Sequence, residues 1–171
     1  NLDNVLAALE IASDPDGLGI SARRITISTV GLPKAIHRLA TLNARYHLAV
    51  SLHAPNDTLR NELVPVNSKT GLTEIIAAAD RYFEISGRRL TFEYVLLAGI
   101  NDRIPDAEEL GRLLRGRPAL LNIIPYNPVA GLPFQTPSKR AIADFREILS
   151  KYQITVKFRQ RKGDEINAAC G

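Results

Sequence analysis

The sequence predicts an α/β fold, a parallel sheet forming part of a βα barrel, on three observations. Five short runs rich in β-branched and aromatic residues alternate with segments of helical periodicity. Strands joined through helices run parallel, with right-handed crossovers. No Gly-rich loop of the G-x-G-x-x-G or Walker type occurs, which weighs against a doubly wound dinucleotide fold or a P-loop fold. Five strands are too few to close an eight-stranded barrel, so the expectation is a partial one.

The elements follow in chain order. Leu2, Val5, Leu6, Leu9 and Ala12 give the first dozen residues an amphipathic helical pattern. The first strand is expected over 24–29 (RITIST), and Pro33 opens a short helix after it. A second strand follows over 46–52 (YHLAVSL). Thr73 and Glu74 then open a helix on which Ile75, Ala78, Ala79 and Tyr82 share a face, and Gly87 ends it. The third strand covers 90–97 (LTFEYVLL). Asp106 with Glu109 reads as a capping box for the next helix, closed by Gly116. The fourth strand covers 119–124 (ALLNII). Thr136 and Pro137 read as an N-cap and first helical residue, with that helix reaching about Leu149. The fifth strand covers 154–159 (ITVKFR).

At 171 residues and 45% apolar content the chain suits one domain with a real core. No run of 18 apolar residues and no signal-peptide pattern occurs, so no membrane partner is expected. One cysteine, Cys170, cannot form an internal disulfide and suits a reducing cytoplasm. The chain starts Asn1-Leu2-Asp3, has no methionine and stops at Gly171, and so reads as a fragment cut at both ends. Such a fragment would expose an unpaired first strand that invites self-association.

Charge is concentrated. Of 22 basic and 18 acidic residues, five basic ones (Lys151, Lys157, Arg159, Arg161 and Lys162) lie in an acid-free stretch, leaving 17 against 18 elsewhere. Lys157, Arg159 and Arg161 alternate, so an extended strand would present them on one face. Such a face suits a phosphate polyanion; it also suits a solvated sheet edge guarded against aggregation.

In βα folds the chemistry gathers at the carboxyl ends of the strands. Those ends carry Ser28, the Ser51-Leu52-His53 segment, Gly99-Ile100-Asn101-Asp102 beyond Glu93, Asn127 in a Pro-Tyr-Asn-Pro run, and the basic strand leading to Cys170. The three histidines, His37, His47 and His53, are too scattered for a zinc signature, and no acid lies near Ser51 and His53 in sequence to complete a hydrolase triad. His53 is open to both a structural and a functional reading. So is Cys170, a small buried group or a thiolate favoured by nearby cations.

The segments "ITISTVG", "LAVSLHAPNDTLRNELVPVN", "TFEYVLLAGINDR", "NIIPYNP" and "KGDEINAACG", in this order and spacing, resemble the radical-SAM adenine-C2 methyltransferases that modify 23S ribosomal RNA and, in many bacteria, tRNA. The resemblance covers nearly the whole chain. It implies a partial (β/α)6 radical-SAM barrel truncated to its later βα units plus a C-terminal strand. It also implies two cofactors, S-adenosylmethionine (SAM) and a [4Fe–4S] cluster, with the cluster's C-x-x-x-C-x-x-C ligands upstream and absent from these residues. An external electron donor goes with that chemistry. On the family's pattern, Ser28, Ser51, Leu52, His53 and Asn127 contact SAM. Cys170, in Ala-Ala-Cys-Gly, matches the cysteine that is methylated by one SAM and then carries the carbon to the adenine. Lys157, Arg159, Arg161 and Lys162 fall where the RNA backbone would be held. The fragment by itself is expected to be inactive. Three other readings stay open: a relative acting on carbon 8 of the adenine, a non-catalytic RNA-binding module, and a cluster-free barrel enzyme for a small phosphorylated or sugar substrate.

Overall fold

The computed structural model describes residues 1–42 and 46–159. Among them are strands β1 (Thr26–Thr29), β2 (His47–Ser51), β3 (Leu90–Leu96), β4 (Ala119–Pro125) and β5 (Thr155–Phe158). The helices are α1 (Leu2–Ser13), α2 (Pro33–Thr41), α3 (Asp57–Leu63), α4 (Leu72–Ser86), α5 (Ile104–Leu114) and α6 (Lys139–Ser150). Every pairing is parallel, and the sheet order follows the chain, β1-β2-β3-β4-β5. A doubly wound sheet reverses its order at a switch point. This one never does, which is the order of a barrel wall.

Side-chain alternation sorts the two faces. One carries the rows Ile27–Leu48–Leu90 and Val50–Phe92–Leu121–Val156 across the register. On it pack Ile36 and Leu39 of α2, Ile75, Ala79 and Tyr82 of α4, Leu110 and Leu114 of α5, and Phe145 and Leu149 of α6. Each such side chain contributes about 1.5–3 kcal/mol when fully buried, more than any single helix cap here. Tyr82 keeps its hydroxyl satisfied by donating to the Tyr46 carbonyl at 2.8 Å. The Arg146 guanidinium lies 4.4 Å from the centre of the Phe158 ring and ties β5 to α6. The other face is polar and carries no helix among the described residues.

Three helix starts differ from the sequence expectation. α6 begins at Lys139, capped by Ser138, whose hydroxyl accepts from the Ala141 N–H at 3.0 Å. Thr136 is held back in the loop, where its hydroxyl donates to the Tyr126 carbonyl at 2.8 Å. In α5, Asp106 is the third helical residue and reaches back to the Arg103 N–H at 3.1 Å, while Glu109 accepts instead from the Asn56 side chain at 2.7 Å. α4 opens at Leu72, whose N–H donates to Asp57 from 15 residues upstream at 2.7 Å, a cap that no local pattern signals. α3, with its 3-10 turn at Pro65–Lys69, is too short to show helical periodicity and was not expected. No helix of the described residues is long and apolar enough to cross a membrane.

Candidate functional site

The open face of the sheet holds a hollow of about 360 Å3. Its lining includes Ser28, His47, Glu93, Asn122, Lys157 and Arg159. Period-two alternation on neighbouring parallel strands puts them there. Ser51, Glu93, Asn122 and Lys157 stand in one register row across four strands. Asn122 is only 4% exposed; its amide nitrogen donates to the Glu93 carboxylate at 2.7 Å, and its amide oxygen is buried with no partner. Lys157 and Arg159 are exposed and join no ion pair among the described residues. The alternating cations therefore border the hollow.

The other expected site residues fall as follows. Ser28 is exposed on the open face, beside Ala49 in the register. Ser51 is partly exposed at the end of β2. Leu52 has its side chain in the core, its N–H donating to the Glu93 carbonyl at 2.8 Å and its carbonyl accepting from Arg60 at 2.9 Å. His53 adopts φ +60°, so the extended run stops at Ser51 and the alternation of strand faces does not extend to His53. Asn127 is buried just beyond β4. Cys170, Arg161 and Lys162 lie outside the described residues.

His53 is held on two sides. Its Nδ1 accepts from the Val95 N–H at 3.1 Å, and its carbonyl accepts from the Asn101 amide at 2.8 Å. That bond fixes the neutral tautomer with the proton on Nε2. Burial, and secondarily the Arg60 charge, push the His53 imidazole down to about 4 from its ordinary 6.5. Between those values the unfolded chain binds a proton that the folded chain refuses. The His53 contribution is therefore complete above about pH 6.5 and is lost as pH falls toward 4. For this partly exposed group the loss is about 2 kcal/mol. Urea midpoints from pH 7 to pH 4 are expected to drop more for the wild-type chain than for His53→Asn; parallel curves would overturn the assignment.

Beneath the rim lies a polar side-chain network of which only Asn101 stands at an expected strand end. Arg60 is fully buried. Its guanidinium donates to the carbonyls of Leu52 (2.9 Å), Val30 (2.6 Å) and Ser51 (2.7 Å) and to the Asn67 side chain (2.6 Å). It thus clamps the carboxyl ends of β1 and β2, which carry Ser28 and Ser51. Asn67 passes the network to Asp57 at 2.8 Å. Asn101, also fully buried, ties His53 to the Val95 carbonyl at 2.8 Å. Arg60 sits among the polar residues of "NDTLRNE", a context that reads as surface. Asn122 was visible only as the one polar residue in "ALLNII".

No metal-binding group of three or more His, Cys, Asp or Glu occurs among the described residues, and the chain has a single cysteine. These residues therefore do not fit an iron–sulfur cluster. They do fit a small ligand with hydrogen-bond donors and an anionic group, because the hollow pairs the Glu93 and Asn122 acceptors with two cations.

No family model matches the chain. It is 66% identical over all 171 residues to a probable dual-specificity RNA methyltransferase RlmN of Rhodopirellula baltica, covering 46% of that protein. Over the same 171 residues it is 45% identical to the ribosomal RNA large subunit methyltransferase N of Nitrosopumilus maritimus, covering 48% of it. The chain thus spans about half the length of the curated relatives it matches. Among solved structures, it superposes on a radical SAM methyltransferase from Sphaerobacter thermophilus with TM-score 0.93 and 47% identity, over 98% of this chain and 49% of the other. A domain of pyruvate-formate lyase-activating enzyme from Bacteroides vulgatus shares the fold alone, with TM-score 0.61 at 16% identity over 79% of this chain and 80% of that one. In sequence over its whole length and in fold, this chain is similar to about half the length of the RlmN and radical SAM methyltransferases it matches.

Proposed function

We propose that the protein carrying this chain is a SAM-dependent RNA methyltransferase that methylates carbon 2 of an adenine in 23S ribosomal RNA and in tRNA, using Cys170 as the carrier of the methyl group. The observation that carries the reading is the match of the whole chain to about half the length of proteins named as dual-specificity RNA and ribosomal RNA methyltransferases, at up to 66% identity. An adenine ring carbon bearing hydrogen is a poor nucleophile, which calls for a cofactor able to do more than direct methyl transfer. When bound, SAM supplies the methyl group.

In this reading Ser28, Ser51, His53 and Asn127 hold SAM at the carboxyl ends of β1, β2 and β4. Leu52 contributes by fixing the backbone there, since its side chain is in the core. Cys170, as its thiolate, would accept the methyl group that bound SAM would supply. Cations earlier in the sequence, Arg161 and Lys162 among them, would favour the thiolate form. Lys157, Arg159, Arg161 and Lys162 bind RNA phosphates, an attraction that weakens with salt. In this reading the iron–sulfur ligands lie outside these residues, and the electron donor is external to the protein.

The test is mass spectrometry of the peptide ending in INAAC. The full-length protein, with its cluster reconstituted, is incubated with SAM before digestion. One added methyl group on Cys170, absent from a Cys170→Ala protein that also fails to methylate RNA, is the expected result. An unmodified thiol with the cluster intact would overturn the carrier role.

A further inference from the structure

Neither the sequence motifs nor the relatives' names assign a task to the amino end of the sheet, opposite the candidate site. We infer that this end carries an arginine patch that binds the phosphate backbone of the RNA beyond the target adenine; the inference rests on the RNA methyltransferase reading. Because all five strands run parallel, the segments that enter them meet at one edge. Two backbone bonds fix that edge: the His47 N–H donates to the Ile25 carbonyl at 2.9 Å, and the Leu48 N–H donates to the Arg89 carbonyl at 3.1 Å. Arg23 and Arg24 lead into β1, Arg88 and Arg89 into β3, and Arg115 and Arg117 into β4. Every cation in these three segments is an arginine.

Positive charge is in excess there. Arg23, Arg24, Arg89 and Arg115 are exposed, and with the half-buried Arg88 they join no ion pair among the described residues. Acids at this end are matched by other cations: Asp80 by Arg117, Glu84 by Arg81 and Glu147 by Lys151. Asp14 and Asp16 precede Arg23 in the chain but pair with none of these arginines. The α5 dipole accounts for Arg112, in the last turn of that helix. It does not account for Arg23 and Arg24, which lie in a 3-10 turn before β1. A sheet edge guarded against aggregation needs only charge, and lysine serves it. The arginine fork meets two phosphate oxygens at once, which an ammonium does not. β1 and β4 stand three strand spacings apart, about 14 Å, so the patch is wide enough for several phosphates of one backbone. The 7 residues of β3 set it roughly 20 Å from the carboxyl ends. A structured RNA larger than the sheet can therefore reach this end while its adenine lies at the other.

The experiment compares the full-length protein with its Arg23→Gln/Arg24→Gln/Arg115→Gln variant and, separately, with Arg88→Gln. The three residues of the triple variant are exposed, so its thermal unfolding midpoint is expected to match wild type. Binding is titrated over a range of salt with an intact tRNA and with a short hairpin bearing one unpaired adenosine. For the tRNA, the slope of log affinity against log salt is expected to flatten by about 2–3 in the triple variant and by about 1 in Arg88→Gln. Affinity of the triple variant for the tRNA should fall about tenfold, while the hairpin binds as it does to wild type. Unchanged tRNA binding in the folded variants overturns the patch and leaves the methyltransferase reading intact. An equal loss for both RNAs also overturns it, since the arginines would then act at the adenine's end of the sheet. Polyglutamate serves as the probe for an acidic protein partner: affinity lost for polyglutamate and kept for tRNA would assign the surface to such a protein instead. Failure of the wild-type protein to bind either RNA overturns both the patch and the RNA methyltransferase reading.

Discussion

Replacing Arg60 with alanine is expected to destabilise the fold by about 3–5 kcal/mol, read as a lowered urea midpoint. The guanidinium is fully buried and serves four acceptors, the carbonyls of Val30, Ser51 and Leu52 and the Asn67 side chain. Alanine leaves three backbone carbonyls facing one another without a donor, and each unpaired buried group costs about 1–3 kcal/mol. It also leaves a cavity. Burial lowers the Arg60 pKa from its ordinary value, with the Asp57 charge partly opposing; the group nonetheless stays charged, because a guanidinium does not give up its proton in proteins. Lysine is not expected to rescue, because a compact ammonium cannot span carbonyls on two strands and an amide at once. An Arg60→Lys chain within about 1 kcal/mol of wild type would show that the charge and not the fork matters. Because Arg60 holds the ends of β1 and β2, the surviving folded fraction should bind S-adenosylhomocysteine more weakly as well.

Gly31→Ala is expected to cost roughly 2–5 kcal/mol. Gly31 sits at φ +97° in the turn that follows β1, its N–H bonded to the Thr29 hydroxyl at 3.1 Å. A side chain in the left-handed region costs about 1–2 kcal/mol. The added Cβ would also lie 2.8 Å from Cγ2 of Ile75 and 3.1 Å from its Cδ1. Ile75 is fully buried between α4 and the sheet, so it has nowhere to withdraw, and overpacking of this kind costs about 1–3 kcal/mol more. The two causes separate in a double-mutant cycle with Ile75→Ala. Removing Ile75 should return the packing part of the Gly31→Ala cost and leave the backbone part. A cycle with no coupling would mean that the turn simply shifts away from α4.

The amino-acid pattern by itself determined the sheet. Strands were expected within two residues of their observed ends because each is a β-branched or aromatic run between turn residues, and the connecting helices forced them parallel. The motif order determined the relatives, and 66% identity across the chain bears that out. It also located Ser28, Ser51, His53, Lys157 and Arg159 near strand ends, because alternation and chain position need no tertiary information. Tertiary structure alone decided the cap of α4, since Asp57 caps it from 15 residues away. It decided too that Arg60 is interior, because four acceptors converge on a residue that sits in a mostly polar stretch of sequence. The Glu93–Asn122 pair was likewise out of reach of the sequence: the two residues are 29 positions apart and meet only through the β3–β4 register. Local interactions are written in short spacings, whereas a buried polar contact depends on which distant groups the packed core leaves facing it.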